Sequence, residues 1–239
     1  MLQFDGPHWR SIVCRLVLER LDHQKSYMSH LETVTATESY RERCEDRVAV
    51  FTRDDRTVIV VADGAGGVGS GDFAAESVLR EVEAELHRIH SAAEWADALR
   101  QIDCRISSGE STAVIVDVRP YGIAGASVGD SEAWIIKDGK VVDLTVNQNR
   151  KPLVGSGDAS PVSFLGSPLD GLLLVATDGF FNYVKRDRVL PMIAQSDFYS
   201  IPRRCIEMVR LPSAALWDDI GIVAARIRPQ HRSRKQYSI

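Results

Sequence analysis

Apolar positions recur along this chain with two periods, and the switches between them mark its elements. In LETVTAT (31–37), Leu31, Thr33, Thr35 and Thr37 fall on one side, the period-two pattern of a strand. RVAVF (47–51) and TVIVVA (57–62) are β-branched runs joined by the polar TRDDR, and they read as a hairpin. A glycine-rich loop, DGAGGVGSGD (63–72), follows, and then the period lengthens. Ala75, Val78, Leu79, Val82, Leu86 and Ile89 share one helix face. Ser91 and Glu94 form an S-x-x-E capping box that opens a second helix, with Trp95, Leu99, Ile102 and Ile106 on its inner face. This reading places His87 and His90 on helix as well.

From position 111 the period returns to two. STAVIVDV (111–118), GIAGASV (122–128), EAWII (132–136) and KVVDL (140–144) are short strands joined by RPY, GDS and KDG. Connections this short predict antiparallel pairing of each strand with the next. The stretch 147–163 is a polar loop rich in Gly, Ser and Pro, LLLVA (172–176) is a buried strand, and TDGFFNYV opens a helical region that runs with breaks to about 210. DIGIVAARI (219–227) is the last strand. Antiparallel strands with intervening helices predict an α+β architecture of stacked sheets with helices outside, not a parallel doubly wound sheet. Residues 1–30 form an extension in which 10–21 fits either a short amphipathic helix or an extra strand, and 229–239 form a basic tail.

Composition narrows the classes. The 239 residues suit one domain, here 31–228, and a net charge of −4 argues against nucleic acid as the main partner. The four cysteines (Cys14, Cys44, Cys104, Cys205) form no CxxC pair, which fits neither a zinc site nor a disulfide framework and suits a reducing cytosol. No apolar run is long enough to cross a membrane, and no signal peptide is legible at the start, so the expected compartment is the cytoplasm.

The chemistry lies in acidic residues at strand ends. Asp63 closes TVIVVAD, Asp130 follows GASVG, Asp178 closes LLLVATD, Asp218 precedes the last strand, and Glu45-Asp46 precede RVAVF. Singly, each Asp-Gly is an ordinary turn dipeptide. Jointly, carboxylates at the ends of buried strands repel one another and are costly to desolvate, and no Lys or Arg adjoins Asp63, Asp178 or Asp218 in sequence. Mg²⁺ and Mn²⁺ prefer such all-oxygen donors. A rival reading comes from Gly64, Gly66 and Gly69, which match a dinucleotide-binding G-x-G-x-x-G. The next strand lies near 111, too far for a compact βαβ unit, and the short turns that follow are incompatible with a parallel sheet.

In order, ESYRERCED, VVADGAGG, STAVIV, ASVGDSEAWII, LLLVATDGFF and WDDIGIV resemble the successive motifs of the metal-dependent protein phosphatases of type 2C, over about residues 30–227. The resemblance implies a four-layer α-β-β-α sandwich carrying two or three Mn²⁺ or Mg²⁺ ions. It implies that Asp63 bridges two ions, that Gly64 offers its carbonyl, that Asp178 and Asp218 are terminal ligands, and that Glu45 and Asp46 hold waters around the ions. Asp130 matches a ligand of a third ion, and Arg41 the residue that grips the substrate phosphate. The implied activity is hydrolysis of phosphoserine and phosphothreonine in proteins by a metal-activated water, opposing a Ser/Thr kinase. Three positions depart from the pattern: Ala65 replaces a common His, Asp219 a common Asn, and Asn149 a common Asp. They keep open an alternative, a catalytically silent module on the same fold that binds phosphoproteins.

Overall fold

The computed structural model describes residues 27–28, 30–53, 55–65 and 70–228. The expected N-terminal extension up to residue 26, the basic tail from 229, and Gly66 and Gly69 of the glycine fingerprint lie outside the described residues.

Two five-stranded antiparallel sheets stack face to face. The first takes β1 (Leu31–Glu38), β8 (Glu132–Lys137), β9 (Lys140–Asp143), β11 (Leu172–Ala176) and β12 (Ile220–Ile227), in the order β1-β12-β11-β8-β9. The second takes β2 (Arg47–Thr52), β3 (Thr57–Ala62), β6 (Ala113–Arg119), β7 (Gly122–Val128) and β10 (Val162–Gly166), in the order β10-β7-β6-β3-β2. A small ribbon pairs β4 (Gly64–Ala65) with β5 (Glu110–Ser111). Helices α1 (Gly71–Glu85) and α2 (Ala92–Asp103) cover the second sheet. The first sheet is covered by α3 (Asp178–Phe181), α4 (Arg186–Ala194) and α5 (Ile201–Val209).

The central strands are apolar throughout because both faces are covered. In β3, Val58, Val60 and Ala62 pack under α1 and α2, while Ile59 and Val61 meet the other sheet. In β11, Leu172, Leu174 and Ala176 face α3–α5, while Leu173 and Val175 face β3's sheet. Three apolar layers therefore separate four layers of structure, the predicted α-β-β-α sandwich. No helix among the described residues is long and apolar enough to cross a membrane.

Three local expectations need correction. First, β7 and β8 do not pair: β7 lies in the second sheet and β8 in the first, so the GDS turn crosses between sheets. Gly129 makes that exit with φ +110°, and a Cβ there would stand 2.6 Å from the Thr112 side chain. Second, β10 emerges from the expected loop. It is an edge strand, alternately half-buried and exposed, and so carries no continuous apolar run. Third, α1 ends at Glu85, leaving His87 and His90 beyond it. The capping box is as predicted: the Ser91 side chain accepts from the Glu94 N–H, and the Glu94 carboxylate accepts from the Ser91 N–H.

Candidate metal and phosphate site

The strand-end acids meet at one end of the sandwich. Asp63, leaving β3, Asp130, in the sheet-crossing turn, and Asp178, opening α3, each bring a carboxylate oxygen within 4.8 Å of the other two. Three remote segments thus converge on one point. Asp46, at the entrance to β2, is buried against Thr177 and Asp63, and its Oδ2 has no hydrogen-bond partner. Asp218 stands beside Asp178 but outside the tight trio.

The backbone of Asp63 is fixed before its side chain does anything. Its N–H donates to Thr112 Oγ1 (3.0 Å), and its carbonyl accepts from the Thr112 N–H (2.9 Å) and the Ser111 hydroxyl (3.0 Å). Thr112 Oγ1 also meets Ser131 Oγ at 2.8 Å, and the Gly129 N–H donates to the Asn149 carbonyl at 2.8 Å. One polar chain therefore ties the Asp63 and Asp130 segments together. Gly64 must be glycine because its backbone touches Gly71: a Cβ would lie 2.3 Å from Gly71 carbonyl atoms. A Cβ on Gly71 would in turn come within 2.7 Å of Glu45 Oε2.

The electrostatics are those of an uncompensated cluster. Burial, then repulsion from Asp46 and Asp178, pushes the Asp63 carboxyl far above its ordinary value. Burial also raises Asp46, with Asp219 and Asp178 adding to the effect. Asp178 is raised by burial, Asp130 and Asp218. None of the ion pairs among the described residues reaches Asp46, Asp63, Asp130 or Asp178. Crowded, half-buried or buried, all-oxygen and with an orphaned acceptor at Asp46, the donor set fits hard divalent cations.

Beside the acids opens a cleft of about 860 Å³ lined by Tyr40, Arg41, Glu42, Arg43, Glu45, Trp217, Asp218 and Asp219. The Arg41 guanidinium lies 5.1 Å from the Tyr40 ring centre; burial raises the Asp218 carboxyl, and the Arg41 charge offsets part of that rise. Trp217, half exposed, stacks on Tyr183 with ring centres 5.7 Å apart. Cys44, half-buried among acids, has its thiol pushed up to about 12, as its position beside carboxylates predicts.

Sequence reasoning misses the part played by two residues. Asp219 reads there only as a departure from the family pattern, yet its carboxylate holds the Arg41 segment by two hydrogen bonds. Asp72, in the first turn of α1, is buried, pairs with Arg43 and raises the Glu45 carboxyl together with burial. An acid in a first helical turn is common, so no local signal distinguishes it. Of the other departures, Asn149 contributes its carbonyl to the sheet-crossing turn and its side chain to the Ser160 carbonyl, and removes no acid from the trio.

Comparison with known proteins agrees with this picture. The family profile of protein phosphatase 2C matches residues 35–153. No curated protein matches the sequence. A bacterial serine phosphatase superposes with a TM-score of 0.73 at 18% identity, covering 83% of this chain and 98% of that one. Stp1, a serine/threonine phosphatase from Staphylococcus aureus, gives 0.72 at 18% identity, covering 83% and 96%. The PstP catalytic domain, crystallised with 2 manganese ions, gives 0.69 at 17% identity, covering 83% and 99%. Given the matched profile, the ordered motifs and the shared sandwich, the chain belongs to the protein phosphatase 2C family.

Proposed function

We propose that this chain is a Mn²⁺- or Mg²⁺-dependent phosphatase of phosphoserine and phosphothreonine proteins, with residues 31–228 as its catalytic unit. The observation that carries the reading is the convergence of Asp63, Asp130 and Asp178 carboxylates within 4.8 Å, with no described ion pair to neutralise them. In this reading Asp63, the Gly64 carbonyl, Asp178 and Asp218 hold two ions, Asp130 contributes to a third, and Glu45 and Asp46 orient the surrounding water. Bound ions of this kind supply a nucleophilic water near neutral pH and neutralise phosphate oxygens.

The chain's own residues do the rest. The buried, mutually repelling acids create the site's affinity for divalent cations, and the hydrogen-bonded backbone of Asp63 holds its carboxylate in place. Arg41, on the wall of the cleft, holds two phosphate oxygens side by side, which a lysine cannot do. A Ser/Thr kinase is the expected opposing partner, and the cytoplasm, which fits the scattered cysteines, the expected compartment. Hydrolysis of an aryl phosphate and of phosphoserine, phosphothreonine and phosphotyrosine peptides, with Mn²⁺ and then with chelator, tests the reading. Chelator-sensitive turnover with preference for the first two peptides is expected. Absence of turnover at saturating Mn²⁺ would leave the silent phosphoprotein-binding module instead.

A further inference from the structure

The segment between β1 and β2 carries Arg41, Glu45 and Asp46, yet residues 39–46 have no regular secondary structure and residues 40–43 are exposed. Something must hold such a segment if an arginine on it is to meet a phosphate in a fixed geometry. Asp219 supplies two direct attachments. Its Oδ1 accepts from the Tyr40 N–H and its Oδ2 from the Glu45 N–H, both at 2.6 Å. The two anchored amides bracket Arg41. Asp219 is itself seated against the acid site: its N–H donates to Asp218 Oδ1 at 2.9 Å, and its carbonyl packs so close to Gly179 that a Cβ there would stand 2.0 Å away. One residue therefore links the Asp178 turn, the Asp218 ligand position and the arginine segment.

We propose that Asp219 is a positioning residue that clamps the 40–45 segment and fixes Arg41 in register with the ion cluster. The role requires a carboxylate. Both partners are N–H donors, and only a carboxylate presents an acceptor on each oxygen; an asparagine would set its own NH₂ against one of the amides. The departure from the family's usual asparagine is thus a second acceptor put to use. This inference rests on the reading of Arg41 as the phosphate grip, but the clamp itself can be tested without any turnover.

Hydrogen exchange of the full chain in chelator, resolved by mass spectrometry, should show residues 39–46 exchanging about tenfold faster in Asp219→Ala than in the native protein, with an intermediate rate in Asp219→Asn. Exchange within twofold of native in Asp219→Ala would overturn the clamp. With Mn²⁺, the KM for a phosphopeptide should rise about tenfold in Asp219→Ala while Mn²⁺ affinity stays within about threefold of native. Adding Asp219→Ala to Arg41→Ala should cost little further, because both changes remove the same contact. Additive losses, or a fall in Mn²⁺ affinity matching the rise in KM, would mean that Asp219 acts through its neighbour Asp218 and would refute the proposal. If the native chain shows no turnover, the functional reading fails and the exchange result alone decides the clamp.

Discussion

The second sheet buries carboxylates at both its ends, and the two ends solve the same problem differently. Before β3, Arg56 and Arg119 enclose Asp117, a residue of β6 with no exposed surface. Asp117 Oδ2 accepts from Arg56 (3.1 Å), the Trp95 indole (3.1 Å) and both the Nε and Nη2 of Arg119 (3.1 and 2.6 Å). The same arginines also donate to the Ile89 carbonyl, pinning the loop before α2 to the sheet. After β3, about 20 Å away along the strand, Asp63 meets Asp46, Asp130 and Asp178, with no described ion pair. A buried acid that finds its cation among side chains becomes part of the scaffold. A group of acids that does not keeps its repulsion uncompensated by side chains, and in the function proposed above it draws its cation from solution.

Removing one acid at each end should therefore produce opposite effects. Asp63→Asn should cut Mn²⁺-dependent turnover about a thousandfold or more, yet raise the melting temperature of the chelated protein by relieving repulsion. Turnover near the native value would dismiss Asp63 as the central ligand. Asp117→Ala should destabilise the fold by about 3–5 kcal/mol, because two buried guanidiniums lose their partner, and urea unfolding would read the loss with or without Mn²⁺. A change below about 1 kcal/mol would show that the arginine cage is not a structural unit.

Smaller changes sharpen the contrast. Arg41→Ala should raise the KM for phosphopeptide about tenfold and leave Mn²⁺ affinity unaltered; an unaltered KM would remove Arg41 from phosphate recognition. The acid cluster should also make stability pH-dependent in chelator. Asp46 titrates at about 7 in the folded protein, whereas an unfolded aspartate titrates near 4. The folded state thus retains a proton that the unfolded chain releases, so this contribution is full below pH ~4 and is lost as pH rises to ~7. Melting temperatures in chelator should fall between pH 5 and 8, and Mn²⁺ should flatten the slope. Smallest of all, Ser91→Ala, at the cap of the helix that carries Trp95, should cost only about 1 kcal/mol.

The sandwich is legible in the sequence because its central strands are apolar runs and its helices carry one apolar face, a pattern that tertiary context reinforces. The edge strand β10, with Leu165 largely exposed, offers no such signal. The acids Asp63, Asp130, Asp178 and Asp218 are legible for a related reason: a charge at the end of a buried run stands out. Their convergence is not, since it depends on the GDS turn passing from one sheet to the other, and turn composition alone suggests a hairpin. Asp219 and Asp72 escape a sequence reading because their importance lies in which backbone amide or side chain they meet across more than 25 positions of sequence, a relation no local pattern encodes.

That sheet-crossing turn has a further bearing on how the molecule tolerates change. Gly129-Asp130-Ser131 is at once a bridge from one sheet to the other and the carrier of a carboxylate in the trio. The gap it spans is set by the apolar layer of Ile59, Val61, Leu173 and Val175. Enlarging or emptying that layer alters the spacing of the sheets, and with it the reach of Asp130 toward Asp63 and Asp178. Oily side chains that touch no ion or phosphate thereby become custodians of the acid geometry.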